Sequence, residues 1–186
     1  FNIWSKKRWL SKRIPILKEA LHAHFNKKYF SSIPTLLPQI EGAIADGYVG
    51  YLRGDTLKKL IKKLLNDEDE YSFDVDIQTF YVDIILADFK HGIAPNSYLS
   101  RHAILHGGDT SYGTIENSLK CILLFDYIQD KFRLVSVGSG NAYHIISCPV
   151  VQRNRKSEWN LFNYHWEAEE QNKKPCELCK PNTLLY

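Results

Sequence analysis

Arg101-His102-Ala103-Ile104-Leu105-His106, followed at once by Gly107-Gly108, holds the residue types best suited to chemistry in this chain. A guanidinium keeps its proton at any biological pH and presents a fork of donors matched to phosphate. An imidazole is the side chain whose ordinary pKa lies near neutrality. Together they suit phosphodiester chemistry without a metal: the imidazole moves a proton and the guanidinium holds developing negative charge. The spacing sets a geometric demand. On a regular helix, five residues at ~100° each leave Arg101 and His106 about 140° apart. They share a site only if the long Arg stem wraps round, or if the helix loosens where the glycines end it. His102 and His106, four apart, lie on one face. The bland alternative is a solvated face, or a buried group with a satisfied hydrogen bond.

A second constellation lies in the last third of the chain, in His144-x3-Cys148 and Cys176-x2-Cys179. Cys-x2-Cys pairs two thiolates on one tight turn, which suits tetrahedral Zn2+. His144 and Cys148, at i and i+4, supply two more ligands and complete a Cys3His set. A structural zinc would explain how about fifty residues with a thin core fold. The alternatives are a redox dithiol or merely buried thiols. Cys121, beside Ile122, Leu123 and Leu124, reads as a small core residue.

The elements that must position these groups are mostly helical. Ile14, Ile16, Leu17, Ala20, Leu21 and Phe25 form an apolar stripe on a helix of about residues 10 to 28. Thr35 is the expected N-cap of the next helix, with Pro38 in its first turn and Gly47 stopping it. Asp55 or Thr56 caps a third helix. Its Leu57, Leu60, Ile61, Leu64 and Leu65 recur at helical spacing, opposite Lys58, Lys59, Lys62 and Lys63. A fourth helix is expected from about Phe73 to Phe89, and a loop with Pro95-Asn96-Ser97 leads to the Arg-His helix. Thr114 caps the last long helix, expected from Ile115 to about Tyr127. Glu41 falls among apolar neighbours, so it is expected to be buried and paired, either as core structure or as a partner for Arg101. After Asp130, Phe132, Leu134 and Val135 begin a strand-like stretch, and Gly138-Ser139-Gly140 is a joint. Short connections between helices imply an antiparallel bundle. The expected fold is therefore mainly α, with residues 1–135 as the bundle and 136–186 as a small α+β zinc-binding module.

With 44% hydrophobic and 13% aromatic residues in 186, the chain can bury a real core, which excludes global disorder. No apolar run approaches the ~20 residues that span a bilayer, and no signal peptide is visible. A cytoplasmic protein with no membrane partner is the expectation. The net charge of +3 is unevenly placed: basic groups dominate the first thirty residues, and acids dominate 67 to 90, including Asp67, Glu68, Asp69 and Glu70. The basic start carries Trp4 and Trp9, a pattern able to grip an RNA backbone and stack on bases, or simply to form a solvated face.

The stretch from Arg101 to Ile128, RHAILHGGDTSYGTIENSLKCILLFDYI, together with Ile33 to Gly47, resembles the HEPN superfamily over about residues 10 to 130. Its signature is an Arg, four to six residues, then a His, often with a polar residue just after the Arg. Arg101, His102 and His106 fit. The resemblance implies a metal-independent endoribonuclease of the kind found in toxins and phage-defence proteins. Two subunits would face their Arg-His helices, and the RNA 2′-hydroxyl would attack the adjacent phosphate. His106 would act as general acid or base, Arg101 would stabilise the phosphorane, and His102 would orient or share protons. RNA, a second copy of the chain and an antitoxin or inhibitor protein are the implied partners. The alternative within the same resemblance is a non-catalytic nucleotide- or nucleic-acid-binding or dimerisation scaffold.

The segment from Tyr143 to Pro181 resembles the zinc module of Ada-type DNA repair proteins. It shares the first ligand pair at i and i+4, Glu167-Ala168, and the Pro175-Cys176-x2-Cys179-Lys180-Pro181 ending. That resemblance implies His144, Cys148, Cys176 and Cys179 as zinc ligands. Its methyl-accepting chemistry does not carry over, because His144 stands where the family has Cys. A third reading is a zinc enzyme or DNA-repair factor using His102 and His106 as further ligands.

Overall fold

A computed structural model describes residues 1–47, 56–65 and 72–181. Helices make up the first part: α1 (Asn2–Ser5), α2 (Ile14–Phe25), α3 (Tyr29–Asp46), α4 (Leu57–Leu64), α5 (Asp74–Thr79), α6 (Arg101–Leu105) and α7 (Ile115–Lys131). Hydroxyl caps mark three of the starts. Thr56, Ser100 and Thr114 accept from the backbone N–H groups of Lys59, Ala103 and Asn117, each satisfying a donor that the helix itself cannot. The alternative cap Asp55 and the acidic run Asp67–Glu70 lie outside the described residues.

The helix α3 departs from the sequence expectation. It starts at Tyr29, not after Thr35, and carries both Pro34 and Pro38 in its interior. Proline removes one i to i−4 hydrogen bond, so Pro34 strips the Phe30 carbonyl of its helical donor. The Tyr112 hydroxyl donates to that carbonyl at 3.2 Å. Thr35 is no cap; its hydroxyl donates to the Ser31 carbonyl within the helix. Gly47 does end α3. The apolar stripe of α2 is narrower than expected. Leu17 and Ala20 are fully buried, whereas Ile16 and Phe25 face out. The fourth helix stops short of Phe89: α5 runs into a π-helical segment, Phe80–Ile85, where Leu86 N–H reaches back five residues to Tyr81.

α3 packs against α2 and α7 at the centre, and α4 and α6 lie against it. One hydrophobic cluster, from Trp4 to Phe132, joins these helices. Cys121 belongs to it, and burial pushes its thiol pKa up to about 12. A polar seam crosses the same core. Ser118 donates to Ser32 and Ser32 to the Ala20 carbonyl, while His24 meets Ser118 at 2.8 Å.

After Phe132 come β1 (Leu134–Val137), β2 (Ala142–Ile145), α8 (Pro149–Gln152), β3 (Trp159–Phe162), α9 (His165–Glu170) and β4 (Lys174–Pro175). The sheet order is β3-β1-β2-β4, with β1 antiparallel to both neighbours and β4 parallel to β2. A second hydrophobic cluster, from Leu134 to Cys179, sits under it. The fold is thus mainly α with a C-terminal α+β part. The two parts are tied by the Ser147 hydroxyl donating to the Gly47 carbonyl, and by Arg8 pairing with Glu169 at 3.1 Å. No described helix is long and apolar enough to cross a membrane.

Candidate functional site

α6 is held at both ends. At its start the Ser100 hydroxyl caps Ala103 N–H and itself donates to the Ala87 carbonyl. At its end Gly107, with φ +73°, takes the left-handed conformation that only glycine adopts cheaply. There Gly107 N–H donates to Ile104 and Gly108 N–H to Ala103, the paired bonds of a Schellman stop. Ala103 and Ile104 turn into the core, so the polar residues are left on the outer faces.

Arg101 reaches Glu41 on α3, and the two form an ion pair with side chains 22% and 27% exposed. Glu41 is thus paired, as expected, but half-buried where full burial was expected. No hydrogen bond joins Arg101 to either imidazole, and its Nε is buried without a hydrogen-bond partner among the described residues. His102 is half-buried and His106 exposed. Their rings lie nearly parallel, 5° between planes, with centroids 6.2 Å apart. The structure therefore brings the two histidines onto one face and gives the guanidinium a carboxylate partner.

The second site is built by the sheet. β2 carries His144, and its continuation turns so that Cys148 caps α8, with Pro149 supplying the first helical residue. β4 runs beside β2, and Cys176 N–H donates to the Tyr143 carbonyl, which sets Cys176 next to His144. The turn closes when Lys180 N–H donates to the Cys176 carbonyl, with Lys180 at φ +42°. One potential ligand atom from each of His144, Cys148, Cys176 and Cys179 lies within 4.8 Å of the others.

These four residues fit a metal. All are buried or nearly so, with Cys176 the most exposed at 9%. His144 Nδ1 is buried with no hydrogen-bond partner among the described residues, a cost that a bound cation can remove. Burial pushes the Cys179 thiol well above its usual range, against a backbone hydrogen bond from Ile145 and together with the neighbouring Cys148 and Cys176. Burial lowers the His144 pKa, which favours the neutral imidazole that ligates metal. A cation at the centre would offset the charge of the thiolates.

Sequence reasoning missed the loop beside α6. Phe89 packs on Gly108 and meets His91 edge-on, and only the glycine pair hinted at such a close approach. Comparison of the chain with protein-family models, curated proteins and solved structures finds no match.

Proposed function

We propose that this chain is a metal-independent endoribonuclease of HEPN type, built from residues 1–135, with a zinc-stapled module in residues 136–186. The observation that carries this reading is the parallel pair of His102, which follows Arg101 directly, and His106, which stands where the glycines stop α6. In this reading the P–O2′ bond forms as the P–O5′ bond breaks; His106, the exposed ring, moves the proton from the 2′-hydroxyl towards the leaving 5′-oxygen, and His102 shares or orients it. Arg101 stabilises the phosphorane charge of 2′-hydroxyl attack, with Glu41 aiming its guanidinium. The partner is RNA, met at a composite site of two copies; a cytoplasmic toxin or phage-defence setting, controlled by an antitoxin, follows from the same resemblance.

The cation proposed for the second site is Zn2+, because three thiolates and one imidazole form a soft, tetrahedral donor set. Sulfurs about 2.3 Å from one tetrahedral zinc stand roughly 3.8 Å apart. The cluster, spread over no more than 4.8 Å, needs only a small contraction. Zinc there supplies structure, holding β2, β4 and the start of α8 together.

A second reading, a non-catalytic scaffold, draws on one specific observation: Arg101 is already matched by Glu41 within its own chain. Incubation with RNA separates the two. The nuclease cuts RNA with chelator present and leaves a cyclic phosphate end, and His106→Ala removes cleavage while keeping the folded state. RNA cut equally well by His106→Ala refutes the nuclease. Binding of RNA without cleavage by the wild-type chain selects the scaffold.

A further inference from the structure

The loop joining the π-helical segment to α6 meets the glycine-stopped end of the Arg-His helix at Phe89. A Cβ built on Gly108 would lie 1.9 Å from Phe89 Cζ, so the ring occupies space that any other residue would fill. Gly108 is thus a socket that fixes the loop against the end of α6. Phe89 meets the His91 ring edge-on, with centroids 4.8 Å apart. His91 and the intervening Lys90 are exposed. Beside the socket, no described residue other than its chain neighbours lies within 4 Å of the place a Gly107 Cβ would take, which leaves open space there. An exposed ring and a cation are thus anchored, through Phe89 and Gly108, two residues from His106.

We infer that Phe89, Lys90 and His91 form the shelf that binds single-stranded RNA beside His106. This inference rests on the nuclease reading above and adds the substrate-positioning residues to it. One base stacks on the His91 ring, because every base has a π-face and such stacking tolerates any sequence. Lys90 neutralises the neighbouring phosphate. Phe89 holds the His91 ring upright, and Gly108 holds Phe89. These residues position the strand; none of them touches the transferred proton.

The test uses the full chain in a His106→Ala background and a short, fluorescein-labelled, single-stranded RNA read by fluorescence anisotropy. His91→Ala weakens binding roughly tenfold, whereas His91→Phe, which keeps a flat ring, stays within about twofold of the parent. Lys90→Ala lowers the salt slope by about one. Gly108→Ala, which dislodges Phe89, reproduces the His91→Ala loss without touching His91. Unchanged binding by His91→Ala, or a His91→Phe chain as weak as His91→Ala, overturns the shelf. Wild-type chain that cuts RNA, with His91→Ala binding and cutting just as well, overturns the shelf alone. Wild-type chain that neither binds nor cuts RNA overturns the shelf and the nuclease reading together.

Discussion

At the scale of single residues, the contest is over what Arg101 is for. A guanidinium held by Glu41 is either a structural strut between α6 and α3 or a preoriented phosphate ligand. Glu41→Gln distinguishes them, because it keeps the shape and one acceptor while removing the charge. A half-buried pair of this kind contributes about 1–2 kcal/mol, between the exposed and the buried limits. Urea titration is expected to show that loss in either case. If Arg101 serves RNA, the freed guanidinium also tightens RNA binding and lowers the cleavage rate. If it is only a strut, stability alone changes. Arg101→Lys keeps the cation but loses the fork, and cleavage is expected to fall about 10²–10³-fold. A rate within threefold of wild type removes Arg101 from the chemistry.

At the scale of elements, local signals were legible and long-range ones were not. Thr56, Thr114 and Gly47 end their helices because capping is a contact within a few residues. The clustering of His144, Cys148, Cys176 and Cys179 was legible for a related reason: the spacing within each pair fixes two side chains on one turn. The start of α3 was not legible, since two prolines in a helix need a donor from elsewhere, and Tyr112 is 82 residues from Phe30. Phe25 and Ile16 followed helical spacing yet ended exposed, because no element among the described residues covers those two side chains. The Tyr112 bond yields a double-mutant cycle. Tyr112→Phe is expected to cost about 0.5–1 kcal/mol in urea titration. In a Pro34→Ala chain the restored N–H takes the Phe30 carbonyl, and the same change costs nearly nothing. Equal costs in both backgrounds mean that the proline does not create the need for the hydroxyl.

At the scale of the whole molecule there are two hydrophobic clusters among the described residues, and the second contains the set that fits a metal. Structural zinc in small peptides contributes about 10–16 kcal/mol at neutral pH, comparable to or above the ~5–15 kcal/mol net stability of a typical domain. The C-terminal part is therefore expected to depend on its metal, and the helices are not. The ties between them define how far the loss spreads. Ser147, next to Cys148, holds the Gly47 carbonyl, and Glu169 accepts from both Arg8 and Tyr143, the neighbour of His144. Metal analysis is expected to find one zinc per chain. Removal by chelator under reducing conditions should abolish amide-exchange protection across residues 134–181. Protection in the middle of α2, α3 and α7 should persist, with losses confined to the end of α3 and the residues around Arg8. Cys176→Ser should reproduce that pattern without chelator. If α2, α3 and α7 lose protection in step with the sheet, the chain folds as one cooperative unit and zinc stabilises the Arg-His helix as well.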